Sequence, residues 1–312
     1  MADSQASIYA ARWSGENMKA SCSNALLPGS GRFGNAQTRS PSPEFASVQA
    51  RKRLRSLKGD PFLFADWERV LFLHYLISPD LLRPHLPSSL ELDLYEGKGC
   101  VSLVAVTMRK FRGPSRVSPG SFFRLIGCQR FLNLRTYVHF GEEPGALFLW
   151  GWLSNPFPIA LPLFKIGLPC AFANMSYDHQ FETGTLQGIV NSRDNSCRFK
   201  YHASIERQAE FEPCPAGSLA EFAMERYTGL FSHGSRCRLF RAWHPAWLQT
   251  RIYPVIEDHS LISNRFPWFE NAQFDSANFS PGFKDVWLGR AHGLNRASNE
   301  HHAVLSGFYE MP

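Results

Sequence analysis

The sequence lacks any C-x-x-C or closely spaced cysteine pair, any secretory-type apolar stretch after Met1, any repeat, and any charge excess over most of its length. Each absence excludes something. Seven cysteines (Cys22, Cys100, Cys128, Cys170, Cys197, Cys214 and Cys237) are an odd number without metal-ligand spacing, so they suit neither a disulfide framework nor a zinc knuckle. Without an export signal the expectation is reduced, buried thiols in a cytoplasmic protein, with no metal and no cofactor. The triplets Asn174-Met175-Ser176 and Asn278-Phe279-Ser280 match the glycosylation acceptor and are idle in that setting.

A membrane span is also missing. Gly145 to Phe164 runs twenty residues without a charge, which is spanning length. Ser154-Asn155 interrupts it, and Pro156, Pro158 and Pro162 would break the helix. It reads instead as a strand over Ala146–Leu153, buried on both faces, followed by a short apolar helix or loop over Pro156–Ile166.

What the 312 residues do have is 44% hydrophobic and 14% aromatic content, enough for a sizeable core, and a formal net charge of +6. That charge sits at the front. Residues 1 to 60 hold nine Lys/Arg against four Asp/Glu, while the remaining 252 hold 24 against 23. The tightest cluster is Arg51, Lys52, Arg53, Arg55 and Lys58. The Ser-, Gly- and Asn-rich opening shows no lasting apolar period, so residues 1–58 are expected to be a disordered basic extension, or a start placed ahead of Met18. An organelle transit peptide is the alternative. Weak, non-specific nucleic-acid binding through this tail is a third functional reading, but the near-neutral body offers no recognition element, so no specific nucleic acid is expected. Gly29-Ser30-Gly31-Arg32-Phe33-Gly34 matches G-x-G-x-x-G by letters only, because Leu26-Leu27-Pro28 is no strand and no helix follows to receive a pyrophosphate.

From Pro61 the chain reads as short strands. They are expected at Val70–Ile77, Phe131–Phe140, Phe172–Glu182, Thr185–Ser192, Arg198–Ile205, Arg236–Trp243 and Thr250–Glu257, with a hairpin joining Glu91–Tyr95 to Cys100–Met108. Ser78-Pro79 opens a helix that Leu86-Pro87 stops, and Ser218 with Glu221 forms a capping box into another. Many strands and few helices predict a mainly β (α+β) fold built on a closed or nearly closed antiparallel sheet. The domain is placed at residues 59–270, and residues 271–312 are expected to be a weakly structured segment packing on it.

The most informative strand is Phe131-Leu-Asn-Leu-Arg-Thr-Tyr-Val-His-Phe140. Alternation gives Leu132, Leu134, Thr136, Val138 and Phe140 one face, and Asn133, Arg135, Tyr137 and His139 the other. A solvated face would alternate in the same way. The residue types argue for a site, since Arg, Asn and Tyr supply planar, directional donors suited to a carboxylate or carbonyl. His244, between Trp243 and Trp247, is a candidate general base, with a packed structural histidine as the plainer reading. Glu225 and Arg226 read most simply as a surface pair, with Glu225 a second proton-transfer candidate. His74 reads as a packed residue. Cys170 has no adjacent base and reads as inert.

Together, Trp67-Glu-Arg-Val-Leu-Phe-Leu-His74-Tyr75, Leu86-Pro87, Leu90-Glu-Leu-Asp93-Leu-Tyr-Glu-Gly97, Asn133-Leu-Arg135-Thr-Tyr137-Val, Leu168-Pro169, Glu225-Arg226-Tyr227 and His244-Pro-Ala-Trp247 resemble the YqjF-like family. That family is of unknown function and is grouped with acetoacetate-decarboxylase-like proteins. The resemblance spans roughly residues 61 to 260 and implies a β-barrel or cone around an internal pocket. It also implies a departure. The decarboxylase forms its imine through a lysine following Gly-x-Pro, whereas Gly167-Leu-Pro169 is followed here by Cys170 and Ala171, and Lys165 comes earlier. The expected function is a pocket for a small anionic or carbonyl compound such as an oxo-acid, lined by Asn133, Arg135, Tyr137 and Asn174. Catalysis is left open, as is a homo-oligomer. The alternative is a non-catalytic structural or interaction protein.

Overall fold

The computed structural model describes residues 41–58, 60–113, 127–155, 167–233 and 236–294. The leader ahead of residue 41 with its Gly29–Gly34 match, the apolar stretch 156–166 with Lys165, and the residues after 294 lie outside these.

The described chain is mostly β. It begins with helix α1 (Pro43–Ser56), then β1 (Leu63–Ile77), the short helix α2 (Pro79–Leu82), β2 (Glu91–Leu92), β3 (Gly99–Arg112), β4 (Gln129–Phe140) and β5 (Glu143–Leu153). There follow β6 (Cys170–Gln180), β7 (Thr185–Ser192), β8 (Arg198–Ser204), β9 (Glu212–Pro213), helix α3 (Leu219–Met224), β10 (Thr228–His233), β11 (Arg236–Trp243), β12 (Leu248–Ile252) and β13 (Val255–Asp258). Helix α4 (Ser260–Ser263), β14 (Gln273–Leu288) and β15 (His292–Gly293) complete it.

The strands close into a ring in the order β5–β4–β3–β1–β14–β11–β10 and back to β5. Every seam is antiparallel except the last, where Ala146 and Leu147 run parallel to Gly229 and Leu230. At its other end β5 forks, and Gly151–Leu153 pair in parallel with Cys170–Phe172 to start a second layer, β6–β7–β8–β13. The antiparallel expectation therefore holds at every ring seam but the one through which β5 joins β10.

Strands β1, β3 and β4 are buried on both faces. Leu71, Leu73, Val101, Leu103, Leu132 and Leu134 enter the core shared with the second layer, where Phe199 and Tyr201 sit. The intervening Val70, Phe72, Val104, Val106 and Phe131 point into the ring. Such double burial explains the near-continuous apolar runs of β1 and β3.

Four expectations need correction. The order of the chain begins earlier than residue 59, because Ser42 caps α1 and the helix rests on β11. Leu54 is fully buried, and Ser47 Oγ donates to the His244 carbonyl at 2.5 Å. Arg51 lies 4.5 and 4.8 Å over Trp243 and Trp287, Arg55 lies over Trp287, and Arg53 pairs with Glu143. Three of the five clustered basic residues thus engage the body, which weakens the nucleic-acid reading. The segment after 271 carries β14, the strand that closes the ring between β1 and β11. Glu91–Met108 is not a full hairpin, since only Tyr95 and Lys98 bridge, while β2 pairs with β4. The strand expected over Thr250–Glu257 is likewise split, at Tyr253-Pro254.

Burying Leu54 contributes about 2 kcal/mol and the arginine–tryptophan contacts about 0.5–1 more. A chain starting at Pro41 keeps these contacts and one starting at Gly59 loses them. By thermal melting the second is expected to fall roughly 5–10 °C below the first; equal Tm values would show that α1 contributes nothing to the fold.

Candidate functional site: a cavity inside the strand ring

The ring encloses a cavity of about 200 Å³. Its wall is largely apolar and aromatic, with Trp67, Phe72, Phe131, Phe148, Phe240 and Trp247 prominent. Gly229 completes the wall beside Phe240 and Phe148, whose rings occupy the space a β-carbon would take. Polar side chains are few: Gln129, Asn133 and Arg135 along one face of β4, with Arg226, Thr228 and His244 opposite.

Arg135 is the cation of this wall that lacks a counter-ion. Its Nη2 donates to the Ala223 carbonyl at 2.9 Å and its Nε to Tyr137 Oη at 3.3 Å. Among the described residues no carboxylate pairs with it. Arg226, by contrast, is neutralised by Asp93 at 2.7 Å and donates through Nε to the Phe222 carbonyl.

Behind Arg135 runs a buried polar chain whose direction follows from donor chemistry. Arg135 can only donate, so the Tyr137 oxygen accepts from it. Asn278 Nδ2 is committed to Gln249, so its Oδ1 faces His74 Nε2 and draws the imidazole proton there; His74 Nδ1 then accepts from Ser102 Oγ at 2.8 Å, and Ser102 Oγ accepts from the Tyr137 hydroxyl at 2.7 Å. His74 is fully buried, and desolvation with the Arg135 charge depresses its pKa to about 3, so it is neutral and carries its proton on Nε2. That nitrogen lies toward Asn278, short of a well-formed hydrogen bond, and Asn278 Nδ2 donates to Gln249 Oε1 at 2.6 Å. The chain fixes the guanidinium from behind and leaves its outer edge to the cavity.

The candidates from the sequence are therefore only partly brought together. Asn133 and Arg135 line the cavity. Tyr137 is buried and supports Arg135 without joining the wall, and its face of β4 is interior rather than solvated. Asn174 lies elsewhere: it is exposed on β6, where the neighbouring Ala173 takes the buried face. His244 does line the cavity, stacked on Phe283 and Tyr227. Its Nδ1 donates to the Pro245 carbonyl at 2.7 Å, its other nitrogen faces the Arg226 backbone, and burial lowers its pKa to about 4. Glu225 sits outside the wall and is not paired with Arg226. Its oxygens accept from the Trp247 backbone N–H at 2.7 Å and from the Tyr227 hydroxyl at 2.5 Å, and burial raises its pKa to about 7. Cys170 is part of the wall, with its thiol pushed up to about 11 by burial.

Gln129, Ser102 and Arg226 went unnoticed as site residues. Ser102 could have been found as the one hydroxyl in the apolar run Cys100–Val106, on the strand next to that of Tyr137 and on a shared interior face.

The buried titratable groups give a pH dependence whose sign can be worked out. His74, His179 and His244 have folded-state pKa values of about 3, 4 and 4 against an ordinary 6.5. Their stability contribution is complete above pH 6.5 and lost as pH falls toward 4. Glu225 is raised from 4.5 to about 7, so its contribution is complete at low pH and lost as pH rises through 7. Three groups against one predict a Tm that climbs steeply from pH 4 to about 7 and then levels, because above pH 7 the loss at Glu225 offsets the last of the histidine gain. Glu225→Gln should recover up to about 3 kcal/mol above pH 7 relative to wild type. A wild-type Tm flat from pH 4 to 8 would contradict this.

Comparison with known proteins agrees with the geometry. A Bacillus subtilis protein named "Uncharacterized protein YqjF" is 27% identical over 184 residues, covering 58% of this chain and 72% of the relative. Among solved structures, acetoacetate decarboxylase from Legionella pneumophila superposes with TM-score 0.53 at 16% identity, covering 75% of this chain and 87% of that one. The enduracididine biosynthesis enzyme MppR complexed with pyruvate superposes with TM-score 0.55 at 13% identity, covering 75% and 91%. These likenesses establish an acetoacetate-decarboxylase-like fold. No helix among the described residues is long and apolar enough to cross a membrane. The family model that matches residues 65–284 is that of DUF2071, "Uncharacterized conserved protein", and the chain belongs to that family.

Proposed function

We propose that the ring binds a small carboxylate-bearing or carbonyl compound, held non-covalently by Arg135. The observation that carries this reading is a guanidinium without a counter-ion at the edge of an apolar cavity. An arginine in such a place is costly unless its charge is met, and a ligand carboxylate meets it with the matching planar geometry. The buried chain through Tyr137, Ser102 and His74 supports the reading, because it orients the guanidinium before any ligand arrives. A further support is that MppR, which shares the fold, was solved with pyruvate.

Covalent imine chemistry is not part of the proposal. The residue after Gly167-Leu-Pro169 is a thiol in the cavity wall, and no lysine lines the cavity among the described residues. Borohydride reduction in the presence of acetoacetate should leave no mass adduct on any lysine peptide. An adduct on Lys165 would overturn this half of the reading.

The binding half is tested by thermal shift and calorimetry with short-chain carboxylates and oxo-acids. Losing a charged hydrogen-bond donor costs about 1.5–3 kcal/mol, so Arg135→Ala should weaken binding by roughly ten- to a hundredfold. Tyr137→Phe removes one neutral link and should cost about two- to tenfold. If no carboxylate or oxo-acid stabilises the wild-type protein, the ring is a structural core and the alternative of a non-catalytic structural or interaction protein takes its place.

A further inference from the structure

The wall of the cavity holds unpaired acceptors as well as the unpaired cation. Gln129 Oε1 and Asn133 Oδ1 are buried and have no hydrogen-bond partner among the described residues. Both amides have a settled orientation. Gln129 Nε2 donates to the Arg130 carbonyl at 2.7 Å, and Asn133 Nδ2 to the Val104 carbonyl at 3.3 Å. Flipping either one would set oxygen against oxygen, so these two atoms are fixed as acceptors. They share the interior face of β4 with Arg135, Asn133 being two residues away, about 6.8 Å along the strand. The indole nitrogens of Trp67 and Trp247, in the same wall, are unpaired donors.

We infer that the acid selected by this cavity carries a hydroxyl beside its carboxylate, so that a 2-hydroxy acid is preferred to the 2-oxo acid of the same skeleton. This rests on the anion reading above and narrows it. The carboxylate engages Arg135, with the indole N–H groups available to its second oxygen. The hydroxyl donates to Asn133 Oδ1, and Gln129 Oε1 offers a second acceptor farther along the strand. A 2-oxo acid brings only acceptors and leaves both amide oxygens unmatched. A 2-amino acid brings a cation toward Arg135 in a wall without Asp or Glu, where it is repelled and unpaired. At about 30 Å³ per water, 200 Å³ corresponds to roughly seven waters, so the skeleton is a short one with an apolar branch against the aromatic wall.

The test uses the full-length protein and three isosteric acids: 2-hydroxy-3-methylbutanoate, 2-oxo-3-methylbutanoate and unsubstituted 3-methylbutanoate, with affinities from calorimetry. The hydroxy acid should bind wild type about tenfold more tightly than either of the others, the worth of one neutral hydrogen bond to a buried acceptor. Asn133→Leu, which keeps the volume and removes the acceptor, should bring the three affinities together while 3-methylbutanoate binding is retained. Should that variant fail to fold, the wild-type ratio decides alone. An oxo acid binding as tightly as the hydroxy acid overturns the inference and leaves the anion reading standing. Binding of none of the three overturns both.

Discussion

Burial of β1, β3 and β4 on both faces is the constraint on which the rest of the molecule depends. Each strand must satisfy two different environments with alternate residues. One set of side chains fills the core against the second layer, and the other lines the ring. A slip of one residue in any of these pairings would exchange the sets. It would drive Leu132 and Leu134 into the cavity and Arg135 into a dry apolar core. The register pairing Ser102 with both His74 and Arg135 is therefore fixed by the hydrophobic alternation around it, and the polar chain inside the ring inherits its precision from apolar packing outside it.

That chain in turn explains how a cation can stand inside the ring. A backbone carbonyl and a phenol oxygen take two of the guanidinium donors, and Phe72 and Tyr137 lie within cation–π distance at 5.3 and 5.6 Å. The proton arrangement is consistent from end to end, because the histidine that receives the last hydroxyl is held neutral by its own burial. A charged His74 would repel Arg135, and that repulsion adds to burial in lowering its pKa.

Much of this was legible in the sequence, and the failures have physical causes. Strands β7 and β11 and the Ser218 N-cap of α3 stand at the expected residues, because a strict period or a local cap specifies them without help from the rest of the fold, although the Glu221 carboxylate accepts from Gly217 N–H and so does not close the capping box onto Ser218. The β4 alternation was legible too, but not its meaning: whether a polar face meets water or a cavity is decided by ring closure, which no single strand encodes. Asn133 and Asn174 illustrate the point. Both are asparagines on apolar strands, and only the fork of β5 puts the first inside the ring and the second outside. Strand β14 escaped notice because its ring-facing residues are polar, among them Asn278 and Ser280, and because Pro281-Gly282 interrupts its pattern. Helix α1 was hidden by composition, since Arg51 and Arg55 are spent on Trp243 and Trp287, partners nearly two hundred residues or more away.

The groups around the cavity are better arranged to hold a ligand than to move its protons. Cys170 follows Gly167-Leu168-Pro169 in the cavity wall, and its desolvated thiol stays protonated at neutral pH. His244 faces the ligand space with a ring whose Nδ1 is committed to the Pro245 carbonyl, so acting as a base would require its other nitrogen to turn from the Arg226 backbone. Glu225 titrates near neutrality yet uses both oxygens to brace Trp247 and Tyr227. His244 and Glu225 are each held by neighbours that shape the wall. Arg135 differs from them: among the described residues it meets no carboxylate, and its guanidinium keeps an edge toward the cavity.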